Sequence, residues 1–312
     1  MDFFNKVYRI NFMGQMKAAS IFSIVLSLIA IGSLATRGLN LGLDFSGGTL
    51  VEVSYEQPVE LDPLRVALDV GGMHEAIVTH YGASREVLIR LGVKEGQKEA
   101  DISQNVLAAL SQHKDAGAPT VRRVEFVGAQ VGKELTEQGG LALLFALAGI
   151  TIYVALRFEF RFALGSIIAV VHDVLITVGI YSVMQWDFDL TVLAAVLAVI
   201  GYSINDTIVI FDRIRENFRT MRKGTTHDVF NAAINQTLSR TFMTGITTLM
   251  VLCVLFFFGG EAVHEFSRLL IIGIIFGTYS SVYVASASAL ALGVSRADLM
   301  PVPKEGVVDN RP

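Results

Sequence analysis

Asp206 is a carboxylate in the middle of apolar sequence. It stands in Gly201-Tyr-Ser-Ile-Asn-Asp-Thr207, inside a run from Leu190 to Phe211 that is long enough to cross a bilayer as a helix, which takes about 20 residues. A charge at that depth costs at least about 2.5 kcal/mol and marks a functional site by default. The competing reading is a polar group that only bonds to a neighbouring helix. Ser203, Asn205 and Thr207 bring further oxygens close to Asp206, a set that suits a proton or a hard cation such as sodium. Arg240 opens a later apolar run at the same end, so the two side chains lie at similar depths. A nearby cation favours a charged carboxylate and loss of water favours a neutral one. That opposition makes a switchable site; Arg240 has the alternative of snorkelling to the membrane boundary. His172-Asp173, near the centre of another apolar run, is either a proton relay or a packed, hydrogen-bonded pair.

These residues need membrane-spanning helices to hold them. Of 312 residues, 52% are hydrophobic and 17% charged, a balance that with several long apolar runs defines a polytopic α-helical membrane protein. Six transmembrane helices are expected, near 18–36, 140–156, 162–184, 190–211, 241–258 and 269–294. The first is a span and not a cleaved signal, because its core exceeds the usual length and Leu34-Ala35-Thr36 is a poor cleavage site. Around them the chain divides into a head 1–17, a soluble domain 37–138, a five-helix bundle 139–294 and a tail 295–312. Cys253 is the single cysteine and makes no internal disulfide. The net charge of −4 argues against nucleic acid as a partner.

The soluble stretch follows Leu41-Gly-Leu-Asp-Phe-Ser-Gly-Gly-Thr-Leu50, where Gly42, Gly47 and Gly48 suit a tight bend and Asp44 can cap or bind. Strands are expected at Leu50–Tyr55, Glu75–Tyr81, Val87–Gly92 and Val121–Val127, and helices at Leu61–Val70 and Ile102–Leu110. The order β-α-β-β-α-β is that of a ferredoxin-like α+β domain. Val51, Val53, Val66, Ile77, Leu88, Val106, Leu110 and Val124 recur at strand or helix spacing and form the expected core. No metal or cofactor is expected. His74-Glu75 lacks the second histidine of a zinc protease, since Val78 stands there, and Gly128-Ala-Gln-Val-Gly-Lys133 is one residue short of a phosphate loop.

Charge in the short loops orients the spans. Lys6, Arg9 and Lys17 precede the first, Arg157 and Arg161 link the second and third, Arg213 to Arg240 link the fourth and fifth, and Arg296, Lys304 and Arg311 follow the last; Gln185–Asp189 and Gly259–Ser267 have no Lys or Arg. By the positive-inside rule both termini are cytoplasmic and residues 37–138 periplasmic. In the last span, Gly273-x-x-x-Gly277 and a run of Ser and Ala let helices approach closely.

Leu43-Asp-Phe-Ser-Gly-Gly-Thr49 after the first span, His172-Asp173 in the third, Gly201–Thr207 running into Phe211-Asp-Arg-Ile-Arg-Glu-Asn217, and Asn235-Gln-Thr-Leu-Ser-Arg-Thr241 before the fifth resemble, nearly end to end, the SecD/SecF family of bacterial Sec protein-export subunits. That family is itself similar to the resistance-nodulation-division transporters. The resemblance implies an inner-membrane protein without enzymatic activity that pairs with SecD. It also implies work beside the SecYEG translocon on exported preproteins, with an ion gradient driving late steps of export. Asp206 and Arg240 match the family's functional acid and arginine; Asn205, Asp173 and His172 complete the ion-coupling candidates. Asp44, Gly47, Gly48, Asp212 and Arg213 fall in its motifs. Two other classes compete. A small-molecule exporter shares the helix layout but usually carries two six-helix halves, and a structural scaffold has no need of Asp206. An intramembrane enzyme lacks its signatures, His-Glu-x-x-His or Gly-x-Ser-x-Gly.

Overall fold

The computed structural model describes residues 10–74, 76–92, 99–111 and 117–295. Lys6, Arg9, Glu75, Arg296, Lys304 and Arg311 lie outside the described residues. In chain order the elements are α1 (Met16–Thr36), β1 (Asn40–Leu41), α2 (Leu43–Ser46), β2 (Gly48–Ser54), α3 (Leu61–Val70), β3 (Ile77–Tyr81), β4 (Ala83–Leu91), α4 (Glu99–Leu110), β5 (Thr120–Val127) and α5 (Ala129–Arg157). They continue with α6 (Phe160–Met184), β6 (Asp187–Phe188), α7 (Leu190–Thr220), α8 (Thr226–Phe258), α9 (Glu261–Val282) and α10 (Val284–Ala291). Two units emerge: Leu39–Leu144 with Gln185–Leu193, and a helical unit of Met1–Gly38, Phe145–Met184 and Ala194–Pro312.

In the first unit four strands form an antiparallel sheet in the order β3-β4-β2-β5. Val51 lies opposite both Ile89 and Val124. Val51, Val53, Val78, Val87 and Ile89 join Leu64, Leu68, Val106 and Leu110 of the two helices in one buried cluster. Three expected core residues sit elsewhere. Val66 and Ile77 are exposed, and Leu88 is only partly buried between the inward Val87 and Ile89. Strand side chains alternate faces, so choosing one position off in a wholly apolar stretch selects the wrong face. On α3 the inward stripe is Leu64 and Leu68, four apart, and Val66 points to the other side. Strand β4 starts at Ala83, four residues earlier than the alternation suggests, because Gly82 turns at φ 71° and sets Tyr81 opposite Ala83. Strand β1 pairs in parallel with β6, and Arg90 Nη2 donates to Asp187 Oδ2 at 2.9 Å.

The helical unit is built on small residues. A Cβ at Gly179 would run into Ala30, bringing α6 onto α1, and a Cβ at Gly273 would run into Val199, bringing α9 onto α7. Ser33 and Ser182 hydrogen-bond across α1 and α6 at 2.8 Å. Six helices are long and apolar enough to cross a membrane: Met13–Thr36, Ala129–Arg157, Phe160–Met184, Leu190–Thr220, Thr226–Phe258 and Val263–Ala291. The outer face of the unit is apolar, with Phe145, Leu156, Phe257 and Phe258 all exposed, as a surface facing lipid requires.

Several helices outrun the apolar runs that mark them. The stretch from Arg213 to Arg240, expected to link the fourth and fifth spans, is almost all helix, α7 continuing to Thr220 and α8 beginning at Thr226. A helix stops where its backbone is capped, and hydropathy reports only where its side chains turn polar. The start of α8 shows this: Asp228 N donates to Thr225 Oγ1 while Thr225 N donates to Asp228 Oδ2, a reciprocal capping box. Further along α8 two asparagines hold the N-terminal segment. Asn235 accepts from Ile10 N at 2.9 Å and donates to Ile10 O at 2.8 Å, while Asn231 accepts from Met13 N at 2.9 Å and donates to Asn11 Oδ1 at 3.0 Å.

Candidate intramembrane ion site

Helices α6, α7 and α9 meet around Asp173, which is 1% exposed. His172 Nδ1 lies 3.0 Å from Asp173 Oδ1. Ser203 Oγ of α7 and Ser280 Oγ of α9, the latter at 2.9 Å, both donate to Oδ2. Since a carboxylate only accepts, Nδ1 of His172 carries the hydrogen when Asp173 is ionised. Gly277 makes the meeting possible: a Cβ there would stand 3.3 Å from Ser203 Cβ and 3.7 Å from Asp173 Oδ2. One turn further, Thr207 and Ser281 hydrogen-bond at 2.9 Å, and Ser281 Oγ donates to Ser203 O at 3.4 Å. A buried charge needs this kind of satisfaction, for a lone one is expensive.

Asp206 is buried too, and differently. It is 4% exposed, and its Oδ2 has no hydrogen-bond partner. Arg240 is exposed and makes no ion pair with Asp206 among the described residues, yet stands near enough for its charge to act on the carboxylate. Asp206 is thus a buried carboxylate with one oxygen free to bond and an exposed cation within electrostatic reach. Asn205 does not join it. The asparagine is exposed: Asp206 and Thr207 share the buried face of α7, and position 205, about 100° back around the helix, falls on the outer one.

The remaining motif residues have architectural contacts. Asp44 Oδ2 accepts from Leu190 N at 3.1 Å and, with Asp189 Oδ1 accepting from Val192 N at 2.8 Å, caps the start of α7. Gly47 and Gly48 take φ of 67° and 130°, values open to glycine, and a Cβ on Gly48 would strike the Leu91 carbonyl. Gly42, at φ −65°, needs no such freedom. Asp212 accepts from Arg157 at 2.7 Å, and Arg213 pairs with Glu216 at 2.8 Å. Ser280 and Ser281 are read from spacing as packing residues only; the structure gives both hydrogen bonds into the polar interior. A second unforeseen group joins Tyr181, Glu265 and Arg268, with Tyr181 OH donating to Glu265 Oε2 at 3.2 Å and Arg268 pairing with Glu265 at 2.8 Å. Among the described residues no three His, Cys, Asp or Glu side chains gather as metal ligands do.

Six spans around buried carboxylates, carrying an α+β segment, define a polytopic helical membrane protein with a polar interior. Residues 106–295 match the family described as protein export membrane protein SecD/SecF, C-terminal, and residues 32–59 match the SecD/SecF GG motif. The chain belongs to the SecD/SecF family. It is 50% identical to the protein translocase subunit SecF of Vibrio alginolyticus, with 95% of each chain covered. Its identity to the SecF of Pseudomonas aeruginosa is 47%, with 98% of this chain and 99% of that one covered. Its fold is similar to the crystal structure of SecDF, a translocon-associated membrane protein from Thermus thermophilus, with a TM-score of 0.82 at 37% identity over 93% of this chain. The match spans only 39% of that longer SecDF chain.

Proposed function

We propose that this chain is the SecF-type accessory subunit of a Sec preprotein translocase in the bacterial inner membrane, and that it uses an ion gradient with SecD to promote late steps of export. The carrying observation is the contrast inside the bundle: Asp173 is fully engaged by three helices, whereas Asp206 is buried with an unpartnered oxygen near Arg240. Binding and release of an ion at Asp206, balanced by Arg240, changes the charge between α7 and its neighbours, and Asp173 with His172 ties that change to α6 and α9. The larger SecDF chain, of which this one spans 39%, supports a SecD partner that supplies the rest. On this reading residues 37–138 are a periplasmic ferredoxin-like domain, the split order β2-α3-β3-β4-α4-β5 being its support. Head, tail and the α7–α8 turn are then cytoplasmic, and SecYEG and the emerging preprotein are the working partners.

The test is export of a secreted protein into vesicles holding the full complex, with and without an imposed gradient. Asp206→Asn keeps the side chain's size and removes its charge, so insertion and SecD binding should persist while gradient-stimulated export is lost. Full stimulation in that variant, at matched membrane levels, would remove Asp206 from the coupling path. Separate proton and sodium gradients identify the ion.

A further inference from the structure

A groove of about 400 Å³ lies between α1, α6 and α10. Its walls include Ser20, Ile24 and Ser27 from α1, Ile168 and His172 from α6, and Ser288 from α10. Ser20 and Ser27 stand two helical turns apart on one stripe, and no Asp, Glu, Lys or Arg lines the space. At the groove's inner wall His172 is 6% exposed; its Nδ1 is engaged by Asp173, and its Nε2 is buried without a partner. Such a ring nitrogen is costly to leave unbonded, and the groove is the adjoining space in which a partner can stand. Liquid water takes about 30 Å³ per molecule, so the groove has room for on the order of ten. Serine hydroxyls along the walls supply the polar partners that ordered waters need.

We propose that this groove holds water and is a proton access route to the polar interior, with His172 as its inner relay. The step balances with the groups present. A hydronium in the groove gives its proton to His172 Nε2 as Nδ1 passes its own to Asp173 Oδ1. One O–H bond breaks and one N–H bond forms at the groove side; one N–H bond breaks and one O–H bond forms at Asp173. The imidazole ends neutral with its hydrogen on Nε2, and Asp173 ends as a neutral acid still held by Ser203 and Ser280. The titratable groups around the ring are Asp173 on its own helix and Tyr283, which lines the groove; α1 contributes serines and the apolar Ile24 and Leu28 there, none of them titratable. The inference rests on the ion-coupling reading above and adds to it where the proton enters.

The test uses the full complex in vesicles with the exposed Cys253 replaced by Ala. Ser27→Cys and Ser288→Cys, on the groove, are compared with Ile29→Cys, whose side chain is exposed on the outer face of α1. A charged, membrane-impermeant thiol reagent should label the two groove cysteines several-fold faster than Ile29→Cys, and the adduct at Ser27→Cys should abolish proton-stimulated export. His172→Asn should lose that stimulation, and His172→Gln should lose it too. Equal labelling at all three positions means that lipid chains fill the groove, and it overturns the proposal. So does full proton stimulation in both histidine variants. If Asp206→Asn also keeps full stimulation, the coupling reading itself has failed, and the labelling ratio still decides whether the groove is wet.

Discussion

Asp173 and Asp206 are both buried carboxylates with different surroundings, and single substitutions separate them. Ser203→Ala or Ser280→Ala removes one donor from Asp173 Oδ2; a buried acceptor that loses a donor costs about 1–3 kcal/mol. Each should lower the unfolding midpoint of the detergent-solubilised protein, and the double variant should depart from additivity because both act on one oxygen. Equal midpoints for wild type and both single variants would show that Asp173 is not held as described. Asp206 was legible in the sequence because a charge amid apolar neighbours announces itself. The partners of Asp173 were not, since they lie 30 and 107 residues away and serines in an apolar helix fit close packing equally well. Asn205 shows the opposite error: adjacency in sequence placed it beside Asp206, and helical rotation takes it to the outside.

At the scale of elements, helix and strand types follow from periodicity, while the choice of face depends on register. Leu64→Ala should cost about 2–5 kcal/mol as a large-to-small change in a full core, whereas Val66→Ala should stay within about 0.5 kcal/mol, as surface changes do. Denaturant titration of the excised segment 42–128 measures both, and a larger effect at Val66 would reverse the register of α3. Tyr55 gives a pH test. Its hydroxyl is buried without a partner, and burial pushes the phenol up to about 12 from 10. The folded state therefore favours the neutral phenol; that contribution is whole below about pH 10 and fades as pH rises towards 12. Tyr55→Phe should melt no lower than wild type at pH 8 and lose less stability between pH 8 and pH 11. Among the helices, Gly273→Val would drive a side chain into Val199, so it should impair assembly of the membrane unit even with Asp206 and Arg240 intact.

For the whole molecule, six spans were legible because each needs only a long apolar run. Their true ends were not, because caps and the helical backbone carry α7 and α8 beyond those runs. The proposed orientation predicts that a cysteine at Ser111 reacts with an impermeant reagent from outside intact cells and one at Arg222 does not. The reverse pattern would invert the topology.

The asparagine pair on α8 has a consequence for how the N-terminal end can vary. Three of its four bonds grasp main-chain atoms, Ile10 N, Ile10 O and Met13 N, and only one depends on a side chain, that of Asn11. Such a clasp is indifferent to spelling and sensitive to counting. Side chains at positions 10 and 13 can drift with little effect on the grip, but one residue inserted between Ile10 and Met13 breaks the match to two asparagines fixed one helical turn apart. Tolerance to substitution there is tolerance of letters, and it does not extend to a change of length.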